Sequence, residues 1–229
     1  MNIVEVKNIK KSYGKKQVLR GVDFYVKKGE CVALVGANGC GKTTLLGILA
    51  GSLKADDGEV SYHGENPFRD RKVFCKYAGY VPQENPLMDK LSVKDNLRFW
   101  YCDSKRSLKD DMEHGILKEF GLDQYQNVSV EKLSGGLKKR LSIACALAAD
   151  PKILIMDEPG AALDIVCKEE IKQYLLRYMA NGGTVILTSH EEAELSICSR
   201  MYLLKDGKTE ELPKILFGKE LMERMKQGE

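Results

Sequence analysis

The sequence predicts an α/β fold in which a parallel β-sheet is flanked by helices. Three short apolar runs support this prediction, because segments 31–35, 153–156 and 184–188 have the length and composition of buried strands. Helical patterns separate these runs, as expected when crossover helices join parallel strands. Glycine or polar residues follow each run at once, so the carboxyl ends of these strands are the expected place for a binding site.

A glycine-rich segment follows the first run and fits the phosphate-binding pattern G-x-x-x-x-G-K-S/T. Its residues are Gly36, Ala37, Asn38, Gly39, Cys40, Gly41, Lys42, Thr43 and Thr44. Glycines let several backbone N–H groups converge, and the helix predicted from residue 42 to 50 adds the positive end of its dipole. Lys42 can reach the β- and γ-phosphates, and the Thr43 hydroxyl can bind Mg²⁺. The alternative is a glycine turn before a core helix, but the strand–loop–helix context favours nucleotide binding.

The bulk composition limits the classes of protein that this chain can be. It has 229 residues with 43% hydrophobic and 30% charged side chains, which is ordinary for a globular protein with a large core. A net charge of +3 is too small to argue for a nucleic-acid partner. No apolar run approaches the ~20 residues that span a bilayer, and the N-terminus has no apolar signal region. Work at a membrane would therefore need another chain to provide the span.

The cysteines indicate a reduced, cytosolic setting. There are seven, an odd number, and none forms a C-x-x-C pair. Cys40 lies inside the predicted phosphate loop, where a thiol reagent should block nucleotide. Its other interpretation is a small spacer, which we favour.

Further strands are predicted at 3–9, 18–26, 59–62, 77–82 and 201–204. The first two alternate in polarity and should form a small antiparallel layer beside the strand at 31–35. Tyr13 lies between them and could stack on an adenine ring or simply pack as a lid. Gln83 directly follows the strand at 77–82, where it is either a polar cap or a group that reaches a metal or an attacking water.

From about residue 84 to 149 the pattern becomes helical. Ser92 is an expected N-cap, Trp100 is expected in the core, and residues 110–120 are expected to form one helix. Ser134, Gly135 and Gly136 precede another helix whose N-terminus provides a second anion-binding device. The run Lys138-Lys139-Arg140 is expected on the outer, solvated face of that helix. A last charged helix is predicted at 213–226.

Candidate catalytic side chains follow the remaining parallel strands. Asp157 and Glu158 end the strand at 153–156, where adjacent carboxylates are costly unless they hold a cation or face a reaction. Asp157 suits Mg²⁺, and Glu158 suits a general base acting on water. His190 follows the strand at 184–188, within reach of a γ-phosphate. Asp164 lies in the segment that leads into the next helix.

These motifs in this order (36–44, 133–136, 153–158, 161–164 and His190) resemble the ATP-binding subunit of an ABC transporter over nearly the whole chain. The resemblance implies a P-loop NTPase with a RecA-like parallel-sheet core, an antiparallel β-subdomain and an inserted α-helical subdomain. It implies a single domain over 1–229, with the core at 1–83 and 150–229 and the helical part at about 84–149.

The resemblance also assigns roles to individual residues. Tyr13 matches the family's adenine-stacking aromatic residue, and Gln83 matches the loop that senses Mg²⁺ and the permease. Ser134, Gly135 and Gly136 match the signature that binds the γ-phosphate of ATP held by another subunit. Glu158 and His190 match catalytic residues, and Asp164 belongs to the dimer loop. The metal ligands implied are Thr43, Gln83 and Asp157.

The implied function is an ATPase that uses ATP and Mg²⁺ and pairs with an identical or related ATPase subunit. A transmembrane permease is the implied partner, on the inner face of the cell membrane, and no nucleic acid is expected. Segments 87–93 and 135–141 look like those of stand-alone bacterial drug and antibiotic exporter ATPases. One departure is Leu137, which stands where the family signature usually continues with Gln.

Two rival functions remain at this point. One is a non-transport clamp of the same family that acts on nucleic acid or ribosomes, but such proteins usually carry two cassettes or long coiled-coil insertions. The other is a kinase or GTPase, in which Ser134, Gly135 and Gly136 would have no role.

Overall fold

The computed structural model describes residues 2–226, and the predicted domain limits 1 and 229 lie outside the described residues. The strands are β1 (Asn2–Tyr13), β2 (Lys16–Lys27), β3 (Cys31–Val35), β4 (Asp57–Tyr62), β5 (Ala78–Val81), β6 (Ile153–Asp157), β7 (Thr184–Thr188), β8 (Arg200–Lys205) and β9 (Lys208–Glu211). The α-helices are α1 (Lys42–Leu49), α2 (Lys72–Tyr77), α3 (Val93–Tyr101), α4 (Leu108–Glu113), α5 (Ile116–Glu119), α6 (Gly135–Leu147), α7 (Ile165–Ala180), α8 (Glu192–Leu195) and α9 (Gly218–Lys226).

The larger sheet has the order β5-β6-β7-β3-β8-β9. The first five strands in this order, β5, β6, β7, β3 and β8, pair with their neighbours in parallel, and β9 pairs with β8 antiparallel. Thr188 of β7 pairs with Leu34 of β3 on one side and with Asp157 of β6 on the other. The segments that follow these three strands therefore leave the sheet at the same edge, where the sequence places the candidate site.

The smaller sheet is antiparallel, with the order β2-β1-β4. We expected β1 and β2 to lie beside β3, but they pair with each other and with β4 instead. The reason is that β7 and β8 already occupy both hydrogen-bonding sides of β3. The predicted antiparallel layer is thus confirmed as a separate sheet, with β4 at its edge as expected.

The hydrophobic core lies on both faces of the larger sheet. Along β3, Ala33 and Val35 belong to one cluster of buried residues, while Val32 and Leu34 belong to the other. This alternation follows from the period of two in a strand. Residues of α6 and α7 cover the first face, and residues of α1 and the smaller sheet cover the second. Burial on both faces explains why the strands read as continuous apolar runs.

The helical region differs from the prediction in two places. The helix expected over 110–120 is broken into α4 and α5 at Gly115, where a Cβ would collide with the Asp111 carboxylate. Trp100 was expected in the core but is 39% exposed, because the buried face of α3 carries Leu97 and Tyr101 instead. Within residues 2–226, no helix combines the length and the apolar character needed to cross a bilayer.

Asp111 is the polar centre of this region. It is 6% exposed and accepts hydrogen bonds from the Tyr101 hydroxyl at 2.7 Å and from Arg106 Nε at 2.8 Å. Burial opposes its ionisation, but the hydrogen bonds from Arg106 and Tyr101 outweigh this effect and hold the pKa of Asp111 below its ordinary value. The ionised carboxylate therefore stabilises the contact between α3 and α4.

We expect Asp111→Asn to lower the free energy of unfolding by ~1–3 kcal/mol at neutral pH, because charge-assisted hydrogen bonds are lost. A lowered folded pKa contributes stability above the ordinary aspartate pKa of ~4 and loses it as the pH falls through the folded value. The difference from the parent should therefore shrink below about pH 4, as measured by urea unfolding. Asp110→Asn, an exposed neighbour on α4, is the control. An equal loss in both variants would contradict the prediction.

Candidate functional site

The phosphate loop connects β3 to α1 and depends on glycine at both ends. A Cβ at Gly36 would lie 2.7 Å from Cys40 Sγ, and one at Gly41 would lie 2.8 Å from Val18 Cγ1. Gly41 also has a φ of 111°, which favours glycine. The buried Lys42 Nζ donates to the carbonyl oxygens of Gly36 at 2.7 Å and Ala37 at 3.2 Å. The loop thus holds an ammonium group inside its own turn.

A cleft of about 430 Å³ opens in front of this loop. Its lining combines Val18 with eight of the predicted site residues: Asn38, Gly39, Gly41, Lys42, Thr43, Thr44, Gln83 and Glu158. Thr43 is exposed in the first turn of α1 and faces the same cleft. The phosphate loop therefore lines one cleft with Gln83, which follows β5, and Glu158, which follows β6, as a nucleotide site requires.

Several predicted residues do not line this cleft, among them Ala37, Cys40 and Tyr13. Ala37 and Cys40 line a separate cavity of about 290 Å³ behind the loop, together with Leu204. Burial raises the pKa of the Cys40 thiol, although Lys42 acts against this shift. Tyr13 ends β1 and is 50% exposed, with Lys11 Nζ 5.7 Å from its ring centroid. Stacking of Tyr13 on a base stays a prediction.

Asp157 is the last residue of β6 and is 1% exposed. Its Oδ1 accepts a hydrogen bond from the Thr188 hydroxyl at 2.6 Å, while Oδ2 has no partner among residues 2–226. A buried carboxylate oxygen without a partner is costly and marks a place for a cation. Thr43 and Gln83 line the cleft. Together with Asp157 they offer a hydroxyl, an amide and a carboxylate oxygen, which are the oxygen ligands that Mg²⁺ prefers. These residues fit the predicted metal.

Glu158 lies at the point where two other candidate groups converge. Its backbone has a φ of 47°, a conformation that non-glycine residues rarely adopt, and its N–H donates to the Thr188 carbonyl and hydroxyl, each at 3.1 Å. Gln83 Nε2 donates to Glu158 Oε2 at 3.1 Å, and His190 Nε2 lies 4.0 Å from Oε1. The strained turn aims the carboxylate at the cleft, where it can accept a proton from water.

The residues of the predicted signature lie outside the cleft. The Ser134 hydroxyl caps α6 by accepting from the Leu137 N–H at 3.3 Å. Open space surrounds the position of a Cβ at Gly135, and a Cβ at Gly136 would lie 3.2 Å from Cys167 Sγ. Asp164 is exposed and caps α7 by accepting from the Cys167 N–H at 2.8 Å. The signature and the Asp164 loop are therefore neighbours.

Two residues of the site were missed from the sequence. The sequence indicates only that Thr188 belongs to a strand, yet its hydroxyl contacts both Asp157 and Glu158. Lys139 was expected on a solvated face, which is wrong: it is 4% exposed, and its Nζ donates to the carbonyl oxygens of Pro82 and Gln83. Burial lowers the pKa of Lys139, and the carboxylate of Asp157 opposes that shift. A polar residue at a strand end and a lysine on an apolar helix face are the signals that could have found them.

Comparison with known proteins assigns the family. The ABC transporter family model matches residues 19–161, more than half of the chain. The chain belongs to this family. Nod factor export ATP-binding protein I of Paraburkholderia xenovorans is 37% identical over 95% of this chain and 73% of that protein. The spermidine/putrescine import ATP-binding protein PotA of Mycoplasma mycoides subsp. mycoides SC is 36% identical over 92% of this chain, which spans 61% of that relative's length.

Solved structures agree with this assignment. A dimeric ATP-binding cassette in a post-hydrolysis state with ADP and Pi is similar to this chain with a TM-score of 0.82 and 29% identity, over 94% of this chain and all of the other. The predicted family and fold class are confirmed, and the chain is an ABC-type ATPase domain with the P-loop NTPase fold. The matched relatives include import and export proteins.

We expect Thr188→Val to lower the ATPase rate of this ABC domain by ~10- to 100-fold, the usual effect of removing a group that orients a metal ligand. The methyl group keeps the volume, but the Asp157 and Glu158 contacts are lost. Steady-state ATPase assays measure the effect. Thr184→Val is the matched control, since Thr184 is buried at the other end of β7 and its hydroxyl accepts from the Gly29 N–H. Equal rates in the two variants would remove Thr188 from the site.

Proposed function

We propose that this chain binds and hydrolyses ATP as the nucleotide-binding subunit of an ABC transporter. Two subunits close around two ATP·Mg²⁺, and each site combines the phosphate loop of one subunit with the signature of the other. The observation that carries this proposal is the separation of the two anion-binding devices: the loop shares its cleft with Gln83 and Glu158, while Ser134 and Gly135 lie outside it. A second subunit supplies what each cleft lacks.

In the proposed reaction, a Glu158 carboxylate oxygen accepts a proton from water as the water oxygen bonds to the γ-phosphorus. The bond from this phosphorus to the β–γ bridging oxygen breaks, and ADP and inorganic phosphate leave. Lys42 balances charge on the phosphates, and His190 contacts the γ-phosphate. Thr43, Gln83 and Asp157 would hold Mg²⁺, which would supply neutralisation of the phosphate charge there.

The proposed partners follow from this arrangement. The working unit is a homodimer or a pair with a related ATPase subunit, attached at the inner face of the cell membrane to a separate permease. We assign the core to 1–83 and 150–229 and the helical part, with the signature, to about 84–149. Segments 87–93 and 135–141 support export as the direction, since they look like those of drug-type exporter ATPases. Transport assays in vesicles of defined orientation, with the co-purified permease, test that direction.

Glu158→Gln tests the assignment of the base. The amide has nearly the same shape but cannot accept the proton, so turnover should fall by ~10²- to 10⁴-fold while ATP binding is kept. Because the ATP that holds the pair is no longer consumed, a dimer should accumulate with ATP in size-exclusion chromatography with light scattering. A monomeric variant that still turns over ATP would overturn the assignment.

Ser134→Ala tests whether the signature takes part in turnover. Loss of an N-cap costs ~0.5–2 kcal/mol of stability wherever it occurs, so a matched cap is needed as the control. Ser107→Ala removes the cap of α4, which accepts from the Asp110 N–H at 3.2 Å. We expect a large loss of ATPase rate for Ser134→Ala and none for Ser107→Ala. Full activity of Ser134→Ala would favour a phosphate-loop enzyme that works as a single chain.

A further inference from the structure

Lys139 is an ionisable group that the proposed reaction does not use. It lies one and a half turns beyond Ser134 on the buried side of α6, and its ammonium group is enclosed by protein. Its Nζ donates to Pro82 O at 3.2 Å and to Gln83 O at 3.1 Å. Among residues 2–226, no carboxylate lies within ion-pair distance of it. A buried cation is costly unless it is compensated. The two carbonyl oxygens accept the hydrogen bonds of Nζ, while the carboxylates of Asp157 and Glu194 attract it from beyond ion-pair distance.

The residue that Lys139 holds is itself in contact with the candidate base. The backbone of Gln83 accepts from Lys139, and the side chain of the same residue donates to Glu158 Oε2 at 3.1 Å. α6, which begins with the signature, is therefore joined to Glu158 by two successive polar contacts. The neighbouring Lys138 makes a different contact, since its Nζ lies 3.5 Å from Asp89 Oδ1 and its side chain is 27% exposed.

We infer that Lys139 is a positioning residue that ties α6 to the loop carrying Gln83, and through Gln83 sets the position of Glu158. The tie itself needs only the contacts within one chain. Its consequence rests on the proposed function: when the ATP of another subunit binds at Ser134 and Gly135, a shift of α6 moves Gln83 in the cleft of the same chain. Lys139 thereby couples the two nucleotide sites of the pair.

The first measurement needs neither nucleotide nor a partner. Lys139→Met keeps most of the length and volume of the side chain but removes both hydrogen bonds, so the backbone after β5 should loosen. We expect hydrogen exchange of amides in residues 78–88 of the nucleotide-free chain to quicken by ~10-fold, with exchange in α7 unchanged. Lys138→Met is the matched control and should leave 78–88 unchanged. Equal hydrogen exchange in the two variants would show that Lys139 does not hold the backbone that follows β5.

The second measurement is kinetic and isolates the path through Gln83. In Lys139→Met we expect kcat to fall by ~10- to 100-fold, as for a misplaced reacting group, with KM for ATP within about twofold. Lys139→Arg, which keeps a buried donor, should restore most of kcat. Combined with Gln83→Ala, Lys139→Met should lower kcat no further than Gln83→Ala alone, because residues that act through one another are not additive.

The remaining outcomes distinguish a failure of the Lys139 inference from a failure of the ATPase proposal. Losses that multiply in the double variant, or a KM effect with an unchanged kcat, would overturn the inference while leaving the ATPase proposal intact. Absence of turnover in the parent chain with its partner would overturn the proposed function, and the hydrogen-exchange result would still decide the tie. If Lys139→Met shows no cooperative thermal unfolding, Lys139→Leu, which is apolar and also lacks a donor, takes its place in both measurements under the same criteria.

Discussion

Asp157 and Glu158 place two carboxylates on neighbouring residues at one strand end, and the site depends on how the chain keeps them apart. Two like charges repel each other more strongly at a partly buried edge than in bulk water. The chain sends Asp157 inward, where the Thr188 hydroxyl donates to it, and turns Glu158 away with a φ of 47°. The same hydroxyl accepts from the Glu158 N–H. One threonine thus fixes both acids, and the β6–β7 register puts it opposite Asp157.

The charges around the cleft explain why a magnesium–nucleotide complex suits it. Lys42 is a buried cation whose hydrogen bonds go to two neutral carbonyls of its own loop. Asp157 is a buried carboxylate with one oxygen unpaired among the described residues. Each charge is incompletely compensated within residues 2–226, and a ligand that brings both an anion and a cation satisfies both. Triphosphate with Mg²⁺ has that composition, whereas a simple anion or a lone cation would meet only one of the two needs.

The sequence predicts those features of the structure that depend on residues close together in the chain, and it misses those that depend on contacts between distant segments. The phosphate loop, the capped start of α6 and the apolar strands depend on neighbouring residues, so their patterns were sufficient. The break at Gly115 was not, because it depends on Asp111 turning towards Arg106 and Tyr101. β9 is polar throughout and exists because β8 offers it an edge. Lys139 is buried only because α6 packs beside the end of β5, a contact between segments more than fifty residues apart.

The position of the α6 N-terminus determines from which side an anion can approach it. Its first-turn N–H groups and its dipole favour an anion, yet the cleft with the phosphate loop is not lined by Ser134 or Gly135. An anion at this point must therefore approach from outside the chain, next to the Asp164 loop, where Ile165 and Val166 are exposed by 84% and 66%. Further along, α6 packs against the core through Leu141 and Ala144. A helix packed in this way moves as a rigid unit. A displacement of its exposed N-terminus therefore also displaces Lys139 and the Gln83 backbone that Lys139 contacts.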